Sequence, residues 1–333
     1  MQFIVLGAGA IGSYVGGRLA AGGRMVTLVA RPRRVEQLSL TGLTVTDLDG
    51  YRAHVPAARL QLASSLAQVR MTPQDVVLLC VKGGATEAAA LEILACCPRG
   101  ITVVSLQNGV DNAGRIAAIA PSMPVLAGMV PFNVVMPDIH HAHRATSGRI
   151  HIANIGPARE MALLMDACGL PVTLAPDMRA VQWGKLLLNL NNPVNALSDM
   201  PLRAQLMDRD YRRVLAGLQR EALAALDAAS IRPARLAAVP PSWLPGLLEL
   251  PNPVFRVLAA GMLKMDASAR SSMWDDLQRG QPTEVDDLCG AVVRLGRQHG
   301  VPTPRNEAMC RLIATHHRGR RLSGREMRAA AMS

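Results

Sequence analysis

Apolar residues gather first in short unbroken runs. Residues 2–6 form a brief, β-rich apolar stretch that breaks at Gly7, after which small residues continue at helical spacing to Ala21; this pattern predicts strand, tight turn, helix. A second apolar run, 25–30, follows Gly22-Gly23, and further strand-like runs occupy 76–81, 101–107 and 125–130. Helix-like stretches lie between some of them, as in βαβ units. Near Pro176-Asp177 the pattern changes: a long Leu-rich stretch begins at Val181, and later segments carry helical periodicity punctuated by proline. Residues 211–229 and 254–277 read as helices, separated by a connection that includes the Pro-rich stretch 240–253. The expectation is an α/β domain over residues 1–177 followed by an all-α domain over 178–333.

The first turn carries chemistry. Gly7-Ala8-Gly9-Ala10-Ile11-Gly12 is a GxGxxG pattern placed directly after a predicted strand and opening a helix, the context in which it reads as a dinucleotide site. Gly7 makes the tight turn, Gly9 lets backbone approach a pyrophosphate, and Gly12 lets helix pack closely on strand; the helix N-terminal amides then bind phosphate. The N-terminal domain is accordingly expected to be Rossmann-like. An NAD site usually places an acid at the end of the second strand, but here Ala30 is followed by Arg31-Pro32-Arg33-Arg34. Guanidinium groups there favour a 2′-phosphate and hence NADP, with Arg31 the candidate ligand and Arg33 and Arg34 read as solvated. Lys82 follows the 76–81 run and Asn108 the 101–107 run, so both are expected at the carboxyl edge of the sheet, where ligands bind.

In the second half, Lys185, Asn189 and Asn192 are spaced i, i+4, i+7, which predicts one amine and two amides on a single helical face. A lysine set among Leu186, Leu187, Leu188 and Leu190 either snorkels to water or sits in a cleft, where desolvation lowers its pKa toward the acid-base range. Pro193 lacks the amide that would bond the carbonyl of Asn189, which predicts a kink. Further on, Ser271-Ser272-Met273 and Glu284 bracket a turn at 280–282, and Thr283 with Asp286 reads as a capping box that puts Glu284 in a first helical turn. The helix dipole there stabilises a carboxylate able to accept a substrate hydroxyl.

Composition narrows the classes. Half of the 333 residues are hydrophobic and 18% are charged, which excludes a solvated, disordered chain. Aromatics make up only 3%, too few for a stacking platform on single-stranded nucleic acid. Of the formal charge of +11, about half sits in residues 311–333, which hold Arg311, Arg318, Arg320, Arg321, Arg325 and Arg328 against Glu326. This end reads as a frayed, solvated helix rather than a grip for RNA or lipid, and the remaining charge suits an anionic small ligand. The six cysteines lack zinc-site spacing, and His140, His141 and His143 read as a solvated loop, so no metal is expected. The 76–97 stretch is interrupted by Lys82, Glu87 and Glu92 and no cation precedes Arg18, so neither a membrane span nor a signal peptide is read; with its unpaired cysteines the chain is expected in the cytoplasm. The Leu- and Met-rich helices leave room for a homodimer contact.

Taken together these residues resemble the ketopantoate reductases. The resemblance rests on the Leu6–Gly12 turn, Val81-Lys82, the Leu106-Gln-Asn-Gly109 run, the Trp183-Gly-Lys-Leu-Leu-Leu-Asn189 run, Ser271–Met273 and the Pro282-Thr-Glu-Val-Asp286 run, in that order along nearly the whole chain. It implies NADPH between a Rossmann domain and a helical domain, with a 2-oxo acid at the junction and a place in pantothenate synthesis. It also implies roles. Lys185 would polarise the ketone and protonate the alkoxide, Glu284 would bind the hydroxyl of ketopantoate and touch the cofactor, and Asn189, Asn192 and Ser272 would orient substrate. Lys82 and Asn108 would bridge cofactor and substrate, and Arg31 would hold the 2′-phosphate. Many relatives have a second Asn eight positions after the lysine, where this chain has Pro193 beside Asn192. Two rivals accompany this reading: a reductase of the same fold for another 2-oxo acid, and a non-catalytic NADP-sensing regulator that uses its Arg-rich end to contact RNA or protein.

Overall fold

The computed structural model describes residues 1–260, 269–317 and 319–330. They divide into two compact units, one ending at Met178 and the other beginning at Arg179.

In the first unit the chain runs β1 (Phe3–Leu6), α1 (Ala10–Ala21), β2 (Val26–Val29), α2 (Pro32–Thr41), β3 (Leu43–Asp47), β4 (Arg52–Val55), β5 (Gln61–Ala63) and β6 (Val76–Leu79). It continues through α3 (Thr86–Cys96), β7 (Thr102–Ser105), α4 (Asn112–Ile119), β8 (Val125–Met129), β9 (Val134–Asp138), β10 (His141–Arg144), β11 (Ile150–Ala153), α5 (Ala158–Asp166) and β12 (Val172–Ala175). Among the described residues eight strands form one sheet in the order β12-β11-β8-β7-β6-β1-β2-β5. All its pairings are parallel except β11 with β8, so the unit has the Rossmann-like parallel sheet. Strand side chains alternate between faces, and both faces are covered: Phe3 and Val5 join the core under α1, whereas Ile4 and Leu6 join the core under α3 and α4.

A second sheet, β4-β3-β10-β9, packs on the other side of α1. This explains the small residues of that helix. A Cβ on Gly16 would lie 2.4 Å from Leu28 of the large sheet, and one on Gly17 would lie 2.5 Å from Val45 of the small sheet. Arg18 crosses to the small sheet, where its guanidinium is 3.1 Å from the Asp47 carboxylate and 3.6 Å from the Tyr51 ring centroid. Arg144 meets the same Asp47 oxygen at 3.1 Å and donates to the Tyr14 hydroxyl at 3.1 Å. The histidines read as a loop belong here: His141 and His143 lie on β10, with Nε2 and Nδ1 at 2.7 and 2.8 Å from the Thr46 hydroxyl. Strand pairing with β3 and β9 overrides their polarity. Among the described residues no cluster of His, Cys, Asp or Glu has the makings of a metal site.

The second unit is helical: α6 (Met178–Asn189), α7 (Asn191–Ser198), α8 (Leu202–Met207), α9 (Arg209–Ala228), α10 (Leu244–Glu249), α11 (Asn252–Leu258), α12 (Ser272–Gln278), α13 (Val285–His299), α14 (Pro304–Ala314) and α15 (Gly324–Ala330). The long α9 is its axis and packs against α7, α8, α10, α13, α14 and α15. Its Arg212 is fully buried because its guanidinium donates to the carbonyls of Leu206, Leu248 and Leu250 at 2.8–2.9 Å and stacks on Phe255; it closes the otherwise unpaired C-terminal ends of α8 and α10.

Three expectations change. The Pro-rich 240–253 stretch contains α10 and the start of α11, with Pro245 and Pro253 in first helical turns, where a missing amide costs nothing. The single helix expected over 254–277 is instead α11 and α12; Ser271 accepts from the Trp274 amide and so starts α12 anew, and residues 261–268 lie outside the described residues. The Arg-rich end is not a frayed helix: Met327 of α15 is fully buried, Gly324 lies against the Tyr211 backbone, and Arg325 and Arg328 reach Asp210. Among the described residues no helix is long and apolar enough to cross a membrane.

Candidate active site

The glycine turn joins β1 to α1. Gly7 has φ +103°, and a Cβ there would lie 2.8 Å from the Val81 amide; the turn therefore presses against the loop that follows β6. A Cβ on Gly12 would lie 2.2 Å from the Gly7 carbonyl oxygen. Around Gly9, by contrast, no atom stands within 4 Å of where a Cβ would be, and no side chain caps the first amides of α1. Open space beside N-terminal amides that no side chain caps fits the phosphates of a dinucleotide. Ala8 is buried, and Ala10 and Ile11 are partly exposed at the start of the helix.

At the end of β2, Arg31 is exposed in the residue before α2 and Pro32 opens that helix. Arg33 is exposed as expected, but Arg34 is not simply solvated. Its guanidinium donates to Ser13 Oγ at 3.1 Å, and Ser13 Oγ donates to the Ala8 carbonyl at 3.1 Å. Burial lowers the Arg34 pKa, opposed by Asp138. The signal in the sequence was its position one turn into α2, which the basic cluster around it obscured.

Lys82 and Asn108 both emerge from carboxyl ends of the sheet, Lys82 exposed and Asn108 partly buried. Their loops are joined by a directed chain of hydrogen bonds. Ser105 Oγ donates to Gln107 Oε1 (3.0 Å), Gln107 Nε2 to Thr86 Oγ1 (2.8 Å), Thr86 Oγ1 to Asn112 Oδ1 (3.0 Å), and Asn112 Nδ2 to the Asn108 carbonyl (2.6 Å). Thr86 is the first residue of α3, four beyond Lys82. Buried polar groups so satisfied fix the loop they line; nothing in local spacing marks Thr86, Gln107 and Asn112 as a set.

In the second unit α6 carries Lys185. Leu186 and Leu187 beside it are buried, and Gly184 allows residue 234 to cross, since a Cβ there would lie 2.4 Å from the Ala234 carbonyl oxygen. Lys185 is only partly exposed, and burial pushes its ammonium from 10.5 down to about 8. An amine near that value can hold a proton at neutral pH and release it.

The single helical face expected for Lys185, Asn189 and Asn192 is divided. Helix α6 ends at Asn189, and α7 starts at Asn191 with Pro193 as its third residue, because a proline is tolerated in a first turn and breaks an interior. Asn189 and Asn192 are both partly exposed. Asn195, which sequence reasoning missed, and Ser271 fasten α7. Asn195, fully buried, accepts from the Ser271 amide at 2.9 Å and donates to the Met200 carbonyl at 2.9 Å. Ser271 Oγ donates to the Asn192 carbonyl at 3.2 Å. Ser272, exposed, is thereby held beside the turn that bears Asn192. Asn195 continues the polar spacing of Asn192 by one turn, which was the available signal. Glu284 is partly exposed and occupies the N-cap position of α13 rather than its first turn, and its side chain makes no capping bond; Thr283 therefore does not cap. The turn at Gly280 (φ +62°) lies where the sequence puts it, and α13 begins at Val285.

The chain as a whole is similar to known proteins. Residues 3–157 fit the family model of ketopantoate reductase PanE/ApbA, and residues 177–317 fit that of its C-terminal part. A 2-dehydropantoate 2-reductase of Halobacterium salinarum is 29% identical over 91% of this chain and 95% of its own length. The crystal structure of a PanE/ApbA family ketopantoate reductase from Ralstonia eutropha is 28% identical, with a TM-score of 0.80 over 94% of this chain and 97% of that one. A D-mandelate dehydrogenase solved with NADH and anilino(oxo)acetate shares the fold, with a TM-score of 0.79 over 94% and 97% of the two chains at 20% identity. The chain belongs to the ketopantoate reductase family of oxidoreductases.

Proposed function

We propose that this protein reduces 2-dehydropantoate to pantoate with NADPH, a step of pantothenate and hence coenzyme A synthesis. The observation that carries the reading is Lys185, an amine whose pKa is pushed down to about 8 by burial, on the helix that ends at Asn189. When bound, the cofactor supplies hydride to the C2 carbon. Lys185 Nζ polarises the ketone oxygen and gives it a proton as the alkoxide forms. Asn189, Asn192 and Ser272 orient the substrate, and Glu284 accepts from its hydroxyl. Gly7 to Gly12 receive the pyrophosphate, Arg31 takes the 2′-phosphate, and Lys82 and Asn108 stand at the sheet edge where the nicotinamide end of the cofactor would lie.

The test is NADPH oxidation by the purified protein with 2-dehydropantoate, repeated with NADH. Turnover with NADPH well above that with NADH supports the proposal; none with either ends it. A second reading, reduction of another 2-oxo acid, is favoured by Pro193, which sits in the first turn of α7 next to Asn192 and would reshape that part of the pocket; a panel of 2-oxo acids in the same assay separates the two. The proposal includes a homodimer in the cytoplasm. Val254, Val257 and Leu258 are exposed on α11 and would supply the subunit contact; light scattering that finds only monomer would remove this part.

A further inference from the structure

We infer that the helical unit carries a second binding cavity, for a small organic anion with a phosphate or carboxylate head on a compact apolar body. A cavity of about 240 Å³ opens on α9. Arg213, Arg220, Arg305 and Arg328 line it against one carboxylate, Glu249. Val214, Leu218 and Met309 supply its apolar part, so it has room for a hydrophobic body as well as a charged head.

The cavity faces away from α6. Gln219 of α9 donates to the Leu187 carbonyl of the Lys185 helix at 3.0 Å. Gly217, which lines the cavity, precedes Gln219 by two residues, roughly 200° around a helix. Arg213, Gly217 and Arg220 share a face at i, i+4, i+7.

The carboxylates nearby are already committed. Glu249 is taken by both terminal nitrogens of Arg220. Glu221 serves the start of α14, accepting from the amides of Arg305 and Asn306 at 2.9 and 3.0 Å and from Asn306 Nδ2 at 2.8 Å; the Arg305 guanidinium meets it only at 3.5 Å. Asp210 is shared by Arg328 at 3.0 Å, Arg325 at 3.3 Å and Arg213 at 3.8 Å. Among the described residues, five guanidiniums thus stand against three carboxylates. Arg213 and Arg305 have the longest pairings and keep donors for an incoming anion.

The experiment is calorimetric titration of the full chain with phenyl phosphate at constant ionic strength, with benzoate, inorganic phosphate and phenol as comparison probes. Expected is saturable binding of phenyl phosphate or benzoate, weaker binding of inorganic phosphate, and none of phenol. In the double variant Arg213→Gln/Arg305→Gln, both sites being half-exposed, affinity should fall about tenfold or more as charge-assisted bonds are lost, with unchanged melting temperature and NADPH affinity. An Arg31→Ala/Arg34→Ala variant should bind the probe as the wild type does. Absence of saturable binding, equal affinity in the first variant, or loss in the second instead would overturn the inference. So would a change of oligomeric state in the first variant, which would assign this face to a subunit contact.

Discussion

At the scale of single residues, Lys185 makes the sharpest predictions. Because burial lowers its pKa to about 8, the proton it donates is lost as pH rises, so kcat/KM should fall above about pH 8. Lys185→Ala should reduce turnover by about a hundredfold or more, measured by NADPH oxidation, while leaving NADPH binding intact; a regulator that only binds NADP would show no turnover to lose. Stability carries the opposite sign. Between about 8 and 10.5 the unfolded lysine binds more protons than the folded one, so stability rises with pH through this window. At pH 7 Lys185→Met should therefore be more stable than wild type, by about 3 kcal/mol at most, and the advantage should vanish toward pH 10.5 in urea titrations. Arg34 makes a separate prediction. It is tied to Ser13 and partly desolvated; if the proposed 2′-phosphate site at Arg31 extends to it, Arg34→Ala should cut a preference for NADPH over NADH about tenfold. Equal KM ratios in variant and wild type would return it to a purely structural role.

Elements show what sequence order reveals and what it hides. The β1–α1 turn was legible because its determinants are adjacent: an apolar run, three glycines at fixed spacing and a small-residue helix. The fastening of α7 was not, since Asn195 and Ser271 are separated by 76 positions and each looks locally like an ordinary polar residue. The second sheet escaped for another reason: β10 holds His141 and His143, which read as loop until strands from elsewhere in the chain pair with them. The start of α13 was misjudged by its cap: Thr283 with Asp286 looks like a capping box, but the helix begins at Val285 with Glu284 at its N-cap. Asn195→Ala should leave the Ser271 amide and the Met200 carbonyl without their partner, a loss of about 1–3 kcal/mol with a raised KM for the oxo acid as Ser272 and Asn192 lose register. Thermal unfolding and steady-state kinetics check both halves; an unchanged KM would make the contact structural alone.

At the scale of the whole molecule, each unit is held by long-range polar contacts as well as by its apolar core. In the first unit Asp47 holds Arg18 and Arg144, and all three side chains are largely buried. Hydrogen bonds from the Tyr51 and Asp49 amides and from Arg144 outweigh burial and lower the Asp47 pKa. Its contribution is therefore present above the ordinary carboxylate range and is lost as pH falls through the depressed value. Arg18→Met should strand part of this buried charge at a cost of about 3–5 kcal/mol, seen by chemical denaturation. In the second unit α15 returns to α9, where Met327 is fully buried; Met327→Ala should cost about 2–5 kcal/mol, a loss that a frayed tail would not show. Composition revealed the charge of this end but not its docking, because Asp210, which receives Arg325 and Arg328, lies more than a hundred residues earlier.

The three glycines of the first turn are not equivalent, and this has a practical use. A methyl at Gly7 or Gly12 collides with backbone, whereas at Gly9 it projects into emptiness from an extended conformation that alanine adopts freely. Gly9→Ala should accordingly yield a protein that melts like its parent yet no longer retains nucleotide, a ready-made blank for separating what the fold does from what the coenzyme does.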